Sequence, residues 1–92
     1  DYNPGSCSIQ SMPFIIMLSC IYLHMNILEA IKSSTYVAAK SLMMENEIGS
    51  IEKGKKADIL IWNLSRVEEI PYNVDSHQLN VIIKNGKSIF TA

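Results

Sequence analysis

Within six positions, Asp1-Tyr2-Asn3-Pro4-Gly5-Ser6 gathers a carboxylate, a side-chain amide, a hydroxyl and a glycine whose backbone N–H is open to a ligand. A helix is predicted to begin close behind, at Ser8 or Ser11, and helix N-termini carry unsatisfied N–H groups that attract anions. Such a cluster suits a metal ion or a substrate carboxylate. The same residues also make an ordinary turn, since Asn-Pro-Gly is a frequent turn sequence. The pattern by itself leans to the turn.

The other reactive side chains are few. Two cysteines, Cys7 and Cys20, neither in a CxxC, and two histidines, His24 and His77, are the whole inventory, and no local zinc site can be built from it. Cys20 and His24 fall in an apolar run and read as a core thiol and a packed histidine, whereas His77 reads as exposed and Cys7 as a loop residue without assigned chemistry. Lys53, Lys55 and Lys56 cluster around Gly54 and read as a solvated hairpin tip. With 8 Lys and Arg against 9 Asp and Glu, the net charge of −1 supplies no basic field for a nucleic acid.

Two helices are predicted to position these groups. No Asp, Glu, Lys or Arg occurs from Tyr2 to Leu28, and Met12 to Met25 is nearly continuous apolar sequence. A membrane span needs about 20 such residues; this run is shorter, carries Ser19, Cys20 and His24, and lacks a basic flank, so it reads as a buried helix. Pro13 suits its first turn. Its apolar residues surround the axis, which calls for packing partners on several sides. A second helix is expected over about Ile27 to Met43. Asn26 is its N-cap and Glu29 completes a capping box, and Ser33, Ser34, Ala38, Ala39 and Ser41 leave room for a close neighbour.

Past Met44 the pattern changes to short strand-like runs: Ile48 to Ile51, Ala57 to Trp62, Val81 to Lys84 and Ser88 to Phe90. Asn85-Gly86 between the last two is a strong hairpin signal. Val81-Ile82-Ile83 is apolar on both faces and should be covered on both sides. The expected fold is α+β, with helices followed by a small antiparallel sheet. At 92 residues with 48% apolar and 18% charged residues, the composition is globular, but a domain this small buries only roughly 60–68% of its unfolded surface. A loop already under way at Asp1 and an apolar helix short of partners suggest a piece of a longer protein. The open apolar faces predict self-association, a homo-oligomer built through the Met12–Met25 helix.

Gly49-Ser50-Ile51-Glu52-Lys53-Gly54-Lys55-Lys56-Ala57-Asp58-Ile59 resembles the G-x-[IL]-x-x-G-x-x-A-D-[IL] signature of the small β-domain in the amidohydrolase superfamily. Its logic is a strand, a glycine turn and a buried strand, with Asp58 holding the turn. Asp1-x-Asn3-Pro4-Gly5-Ser6, Ser11-Met12, Ala30, Thr35, Pro71-Tyr72 and Val81-Ile82-Ile83-Lys84-Asn85-Gly86-Lys87 then resemble the imidazolonepropionase family in the same order. Val37 replaces the usual Asn of a Thr-x-Asn-x-Ala pattern, and Asn73-Val74-Asp75 departs from the family after Pro-Tyr.

The resemblance implies the C-terminal part of a metal-dependent hydrolase. Residues 1–44 would be the last loop and helices of a (β/α)8 TIM-type barrel, and residues 45–92 the closing strands of a composite β-sandwich domain. It implies that Asp1 is both a ligand of a single zinc or iron ion and the catalytic carboxylate that handles the proton of bound water. It also implies that Asn3, Gly5 and Ser6 bind substrate, and that the histidine ligands lie in the missing N-terminal part of the same enzyme. The reaction would be hydrolysis of 4-imidazolone-5-propanoate to N-formimidoyl-L-glutamate in cytoplasmic histidine degradation. The 92 residues alone would be inactive and hold no metal. Another amidohydrolase or ring aminohydrolase, and a non-catalytic interaction module, are the alternatives.

Overall fold

A computed structural model describes residues 2–72 and 78–92. Asp1 and residues 73–77, His77 among them, lie outside the described residues, as does the Asn73-Val74-Asp75 departure.

Helix α1 spans Met12–Tyr22. Ser11 Oγ accepts from the N–H of Phe14 at 3.4 Å and Pro13 occupies the first turn, the two features the sequence supplied for its start. The helix ends earlier than its apolar run. The carbonyl of Ser19 accepts from the N–H groups of both Leu23 and Met25 at 3.2 Å, and His24 adopts φ 55°. His24 is therefore an exposed residue in left-handed backbone, not the packed helical residue expected. Cys20 and Cys7 are both half-buried.

The second helical segment is two helices, α2 Ile27–Ser34 and α3 Tyr36–Ser41. Asn26 Oδ1 accepts from Glu29 N at 2.9 Å while Glu29 Oε1 accepts from Asn26 N at 3.2 Å, so the capping box is complete. The expected single helix breaks at Thr35, with φ −122° and ψ −85°. Ser34 Oγ donates to the Ala30 carbonyl at 3.0 Å and Thr35 Oγ1 to the Ile31 carbonyl at 2.8 Å. Consecutive hydroxyls bonded back to the preceding turn compete with the helix ladder and bend it.

Residues 48–51, expected as a strand, form bends and turns with no ladder partner. Gly49 has φ +92°, and a Cβ placed on it would lie 2.7 Å from Ala39 Cβ and 2.9 Å from the Thr35 carbonyl oxygen. The segment is thus laid directly on the α2–α3 junction. This close approach uses the small Ala39, which is 3% exposed. Lys55 closes the same contact. Its ammonium lies 5.5 Å from the Tyr36 ring centroid, donates to Ser50 Oγ at 2.6 Å and pairs with Glu52 at 3.0 Å. Lys55 is therefore largely covered, its side chain 11% exposed, while Lys53 and Lys56 are exposed as expected.

The sheet is antiparallel in the order β1-β2-β3, with β1 Ile59–Trp62, β2 Leu79–Lys84 and β3 Lys87–Thr91. Ile59 pairs with Ile83 and Trp62 with Leu79, across a bulge between Ile61 and Trp62. Asn85 and Gly86 take φ 52° and 80°, the two positive φ values of a tight hairpin turn. Asp58 holds this turn from across the sheet. Its Oδ1 accepts from Asn85 N at 2.8 Å and its Oδ2 from Lys84 Nζ at 2.9 Å. The side-chain tie that the glycine motif implied exists, but it secures the later hairpin instead of the motif's own turn.

Helices pack on helices and strands on strands. Ile16, Ala30 and Ala39 are the buried apolar residues among those described. Val81, Ile82 and Ile83 are only half-buried, so the double cover expected for that strand is incomplete here.

Candidate functional site

Asn3, Gly5 and Ser6 share one closed turn. The Asn3 carbonyl accepts from Ser6 N at 3.0 Å and from Cys7 N at 2.7 Å, and Asn3 N donates back to the Cys7 carbonyl at 2.7 Å. Asn3 Oδ1 accepts from Gly5 N at 2.9 Å. Because an N–H must face an acceptor, that bond fixes the amide with its NH2 directed away from the turn. The glycine N–H expected to be open to a ligand is thereby taken. The turn is also not set on the helix N-terminus: Ser8 to Gln10 intervene before the Ser11 cap.

What remains available is the Asn3 amide NH2 and the Ser6 hydroxyl, both on exposed residues. A rigid N–H donor beside a hydroxyl that rotates to suit its partner matches a carboxylate or a ring carbonyl. Among the described residues no three His, Cys, Asp or Glu side chains come together to hold a metal ion.

Two shifted carboxyls lie elsewhere. The hydrogen bond from Lys84 and the backbone N–H of Asn85 hold Asp58 below its ordinary value of 3.8. The Ser50 hydroxyl, then Lys55, hold Glu52 below its ordinary 4.5. Both belong to turns that hold the fold together.

Sequence reading missed a cavity of about 710 Å³. It opens between the start of α1, the end of α2 and the edges of β1 and β2, and is lined by Met12, Ile16, Ile31, Leu60, Trp62 and Leu79, with Ser11, Ser34, Thr35 and Gln78 among its polar residues. Asn3, Gly5 and Ser6 are not part of its wall. Five separate segments meet there, Ile70 among them, and no local pattern announces such a meeting. Among the described residues no helix is long and apolar enough to cross a membrane.

Helices followed by an antiparallel sheet pinned by an Ala-Asp motif agree with what the whole sequence matches. The Amidohydrolase family profile covers residues 5–89, and the chain belongs to that family. Within it, the chain is 43% identical over 89 residues to an imidazolonepropionase of Symbiobacterium thermophilum, covering 97% of this chain and 21% of that protein. It is 40% identical to an imidazolonepropionase of Alkaliphilus oremlandii, over 97% of this chain and 21% of the relative. To an imidazolonepropionase of Fusobacterium nucleatum it is 38% identical, over 98% and 22%. The chain thus spans about a fifth of the length of the curated relatives it matches.

Proposed function

We propose that this chain is the C-terminal part of an imidazolonepropionase-like hydrolase that opens the ring amide of 4-imidazolone-5-propanoate to give N-formimidoyl-L-glutamate, a cytoplasmic step of histidine breakdown. The observation that carries the reading is the similarity to relatives of that name over 97% of the chain at up to 43% identity. On this reading residues 1–44 are the last loop and helices of a (β/α)8 barrel and residues 45–92 are strands of its small β-sandwich domain. The zinc or iron of the complete enzyme would polarise the scissile carbonyl and activate water, with Asp1 contributing one carboxylate to that ion.

The chain's own part in the reaction is to bind and orient. Asn3 donates through its fixed NH2 and Ser6 through its hydroxyl, and both can grip the propanoate group. Gly5 keeps the turn tight by giving its N–H to Asn3. An open, exposed turn cannot exclude water unaided, so the isolated 92 residues are inactive and become competent only when the rest of the enzyme closes over the turn.

The test is a graft. Residues 1–92 replace the matched fifth of the Symbiobacterium thermophilum protein, and loss of the imidazolone ring is followed by absorbance with formimidoyl-glutamate identified by mass spectrometry. Turnover that disappears with Asp1→Asn supports the reading. A graft that folds with the parent's circular dichroism and melting yet leaves this substrate untouched overturns it, and release of ammonia from a nucleobase ring would point to the aminohydrolase alternative.

A further inference from the structure

Asn85 is the one asparagine of this chain followed by glycine; the others precede proline, valine, leucine, isoleucine or glutamate. The carbonyl carbon of an asparagine side chain can be attacked by the backbone nitrogen of the next residue, and asparagine is thermolabile on that account. Gly86 leaves the approach unhindered because it has no Cβ. Both residues are exposed, so water and hydroxide reach them. The folded hairpin nevertheless withholds the nucleophile. Gly86 N donates to the Ala57 carbonyl at 2.9 Å, and attack requires that nitrogen to give up its proton and turn to Asn85 Cγ. Asn85 N donates to Asp58 Oδ1 at 2.8 Å, which holds Asn85 in left-handed backbone with φ 52°. The two acceptors are consecutive residues directly before β1, the strand beside β2 in the sheet. One distant dipeptide thus holds both residues of the hairpin tip.

We propose that Asn85-Gly86 is a deamidation site that Ala57 and Asp58 hold closed, and that modification there is a one-way change to the hairpin. When the two hydrogen bonds open, the Gly86 nitrogen loses its proton to hydroxide and bonds to Asn85 Cγ. The Cγ–N bond of the side-chain amide breaks, and its nitrogen leaves as ammonia after taking a proton from water. One water molecule then opens the cyclic imide at either carbonyl, giving aspartate or isoaspartate. Isoaspartate routes the backbone through the former side chain and adds a methylene to it, which displaces the Gly86 N–H from the Ala57 carbonyl. Either product puts a new carboxylate on the residue whose N–H Asp58 accepts, and like charges at that range repel. The reaction therefore weakens the contacts that suppress it.

The test follows aspartate and isoaspartate at position 85 by liquid chromatography and mass spectrometry of peptides from the 92-residue chain, kept at mildly alkaline pH in buffer or in guanidinium chloride. The folded chain should deamidate roughly tenfold more slowly than the unfolded one, the protection that two ordinary hydrogen bonds give against opening. Asp58→Ala, folded by circular dichroism, should come within about threefold of the unfolded rate, since one of the two bonds is gone. Lys84→Ala removes only the exposed ion pair with Asp58 Oδ2 and should stay within about twofold of the parent. Equal rates for the folded and unfolded parent, or for Asp58→Ala and the parent, overturn the proposal. Equal acceleration by Asp58→Ala and Lys84→Ala overturns it too, because any loosening of the hairpin would then suffice. Where Asp58→Ala does not fold, amide exchange in the parent decides. Exchange of the Gly86 N–H, followed by NMR, and deamidation are measured side by side as guanidinium chloride rises below the unfolding transition. Parallel increases in the two rates support the proposal. Deamidation that holds steady while exchange accelerates, or a Gly86 N–H unprotected in buffer, overturns it.

Discussion

Gly49 concentrates the tertiary structure of this chain in one missing methyl group. Its φ of +92° is shared with Gly54, but the two differ in surroundings: a Cβ on Gly54 meets nothing within 4 Å, while one on Gly49 meets Ala39 Cβ at 2.7 Å, the Thr35 carbonyl at 2.9 Å and Tyr36 Cα at 3.1 Å. Gly54→Ala should therefore lose only the left-handed backbone penalty of about 1–2 kcal/mol, partly offset by about 0.4–1 kcal/mol from a stiffer unfolded chain. Gly49→Ala carries the same two contributions plus an overpacking cost of about 1–3 kcal/mol, because two of the three contacted atoms are backbone and cannot rotate away. The difference between the variants, about 1–3 kcal/mol, isolates the docking of residues 48–56 on the α2–α3 junction. At about 4–8 °C per kcal/mol for a domain of this size, melting followed by circular dichroism resolves it. Ala39→Gly in the Gly49→Ala background should recover part of the loss, less about 1 kcal/mol for glycine in a helix, giving a measurable coupling between the two sites. Equal melting of Gly49→Ala and Gly54→Ala would refute the close approach on which the argument stands.

Three further outcomes follow from the geometry. Because the folded-state pKa of Asp58 lies below its unfolded value near 3.8, its ties to Lys84 and Asn85 stabilise the hairpin above that value and are lost as pH falls through the lower folded one; urea unfolding across pH 2–5 should show Asp58→Asn flattening this acid limb, and an unchanged limb would contradict it. Asn26→Ala removes the acceptor for Glu29 N and should destabilise by about 0.5–2 kcal/mol, measured as a lower urea midpoint with reduced helical ellipticity, whereas Asn26→Ser should retain most of the stability. In the active graft, Ser6→Ala should raise KM by roughly tenfold, the loss of about one hydrogen bond, with little change in melting; Asn3→Asp keeps the acceptor for Gly5 N but turns a donor into an anion, so it should weaken an anionic substrate further while the turn persists.

That Asn3, Gly5 and Ser6 would share a turn was legible in the sequence; the detail of that turn was not. Asn3, Gly5 and Ser6 do fall on one turn because four residues of contiguous chain decide it. Which of their atoms face outward was not readable, since the Asn3 amide could equally have pointed at a ligand until its bond to Gly5 was seen. Lys55 looked like its neighbours Lys53 and Lys56 in a charged run, and its contacts with the Tyr36 ring, brought over from α3, and with Ser50 and Glu52 set it apart.

What the sequence alone determined is everything governed by neighbours within about four residues: the Ser11 and Asn26 caps, Pro13 in the first turn, the Asn85-Gly86 hairpin and the change from helices to strands. These depend on hydrogen bonds that close over one turn of chain, so residue type and spacing suffice to set them. The tertiary structure decided the break at Thr35, the absence of a strand at 48–51, the partner of Asp58 across 26 residues and the cavity between sheet and helices. Each of those is set by which distant backbone arrives at a given surface, and steric fit between segments is a property of the packed chain that no window of sequence contains.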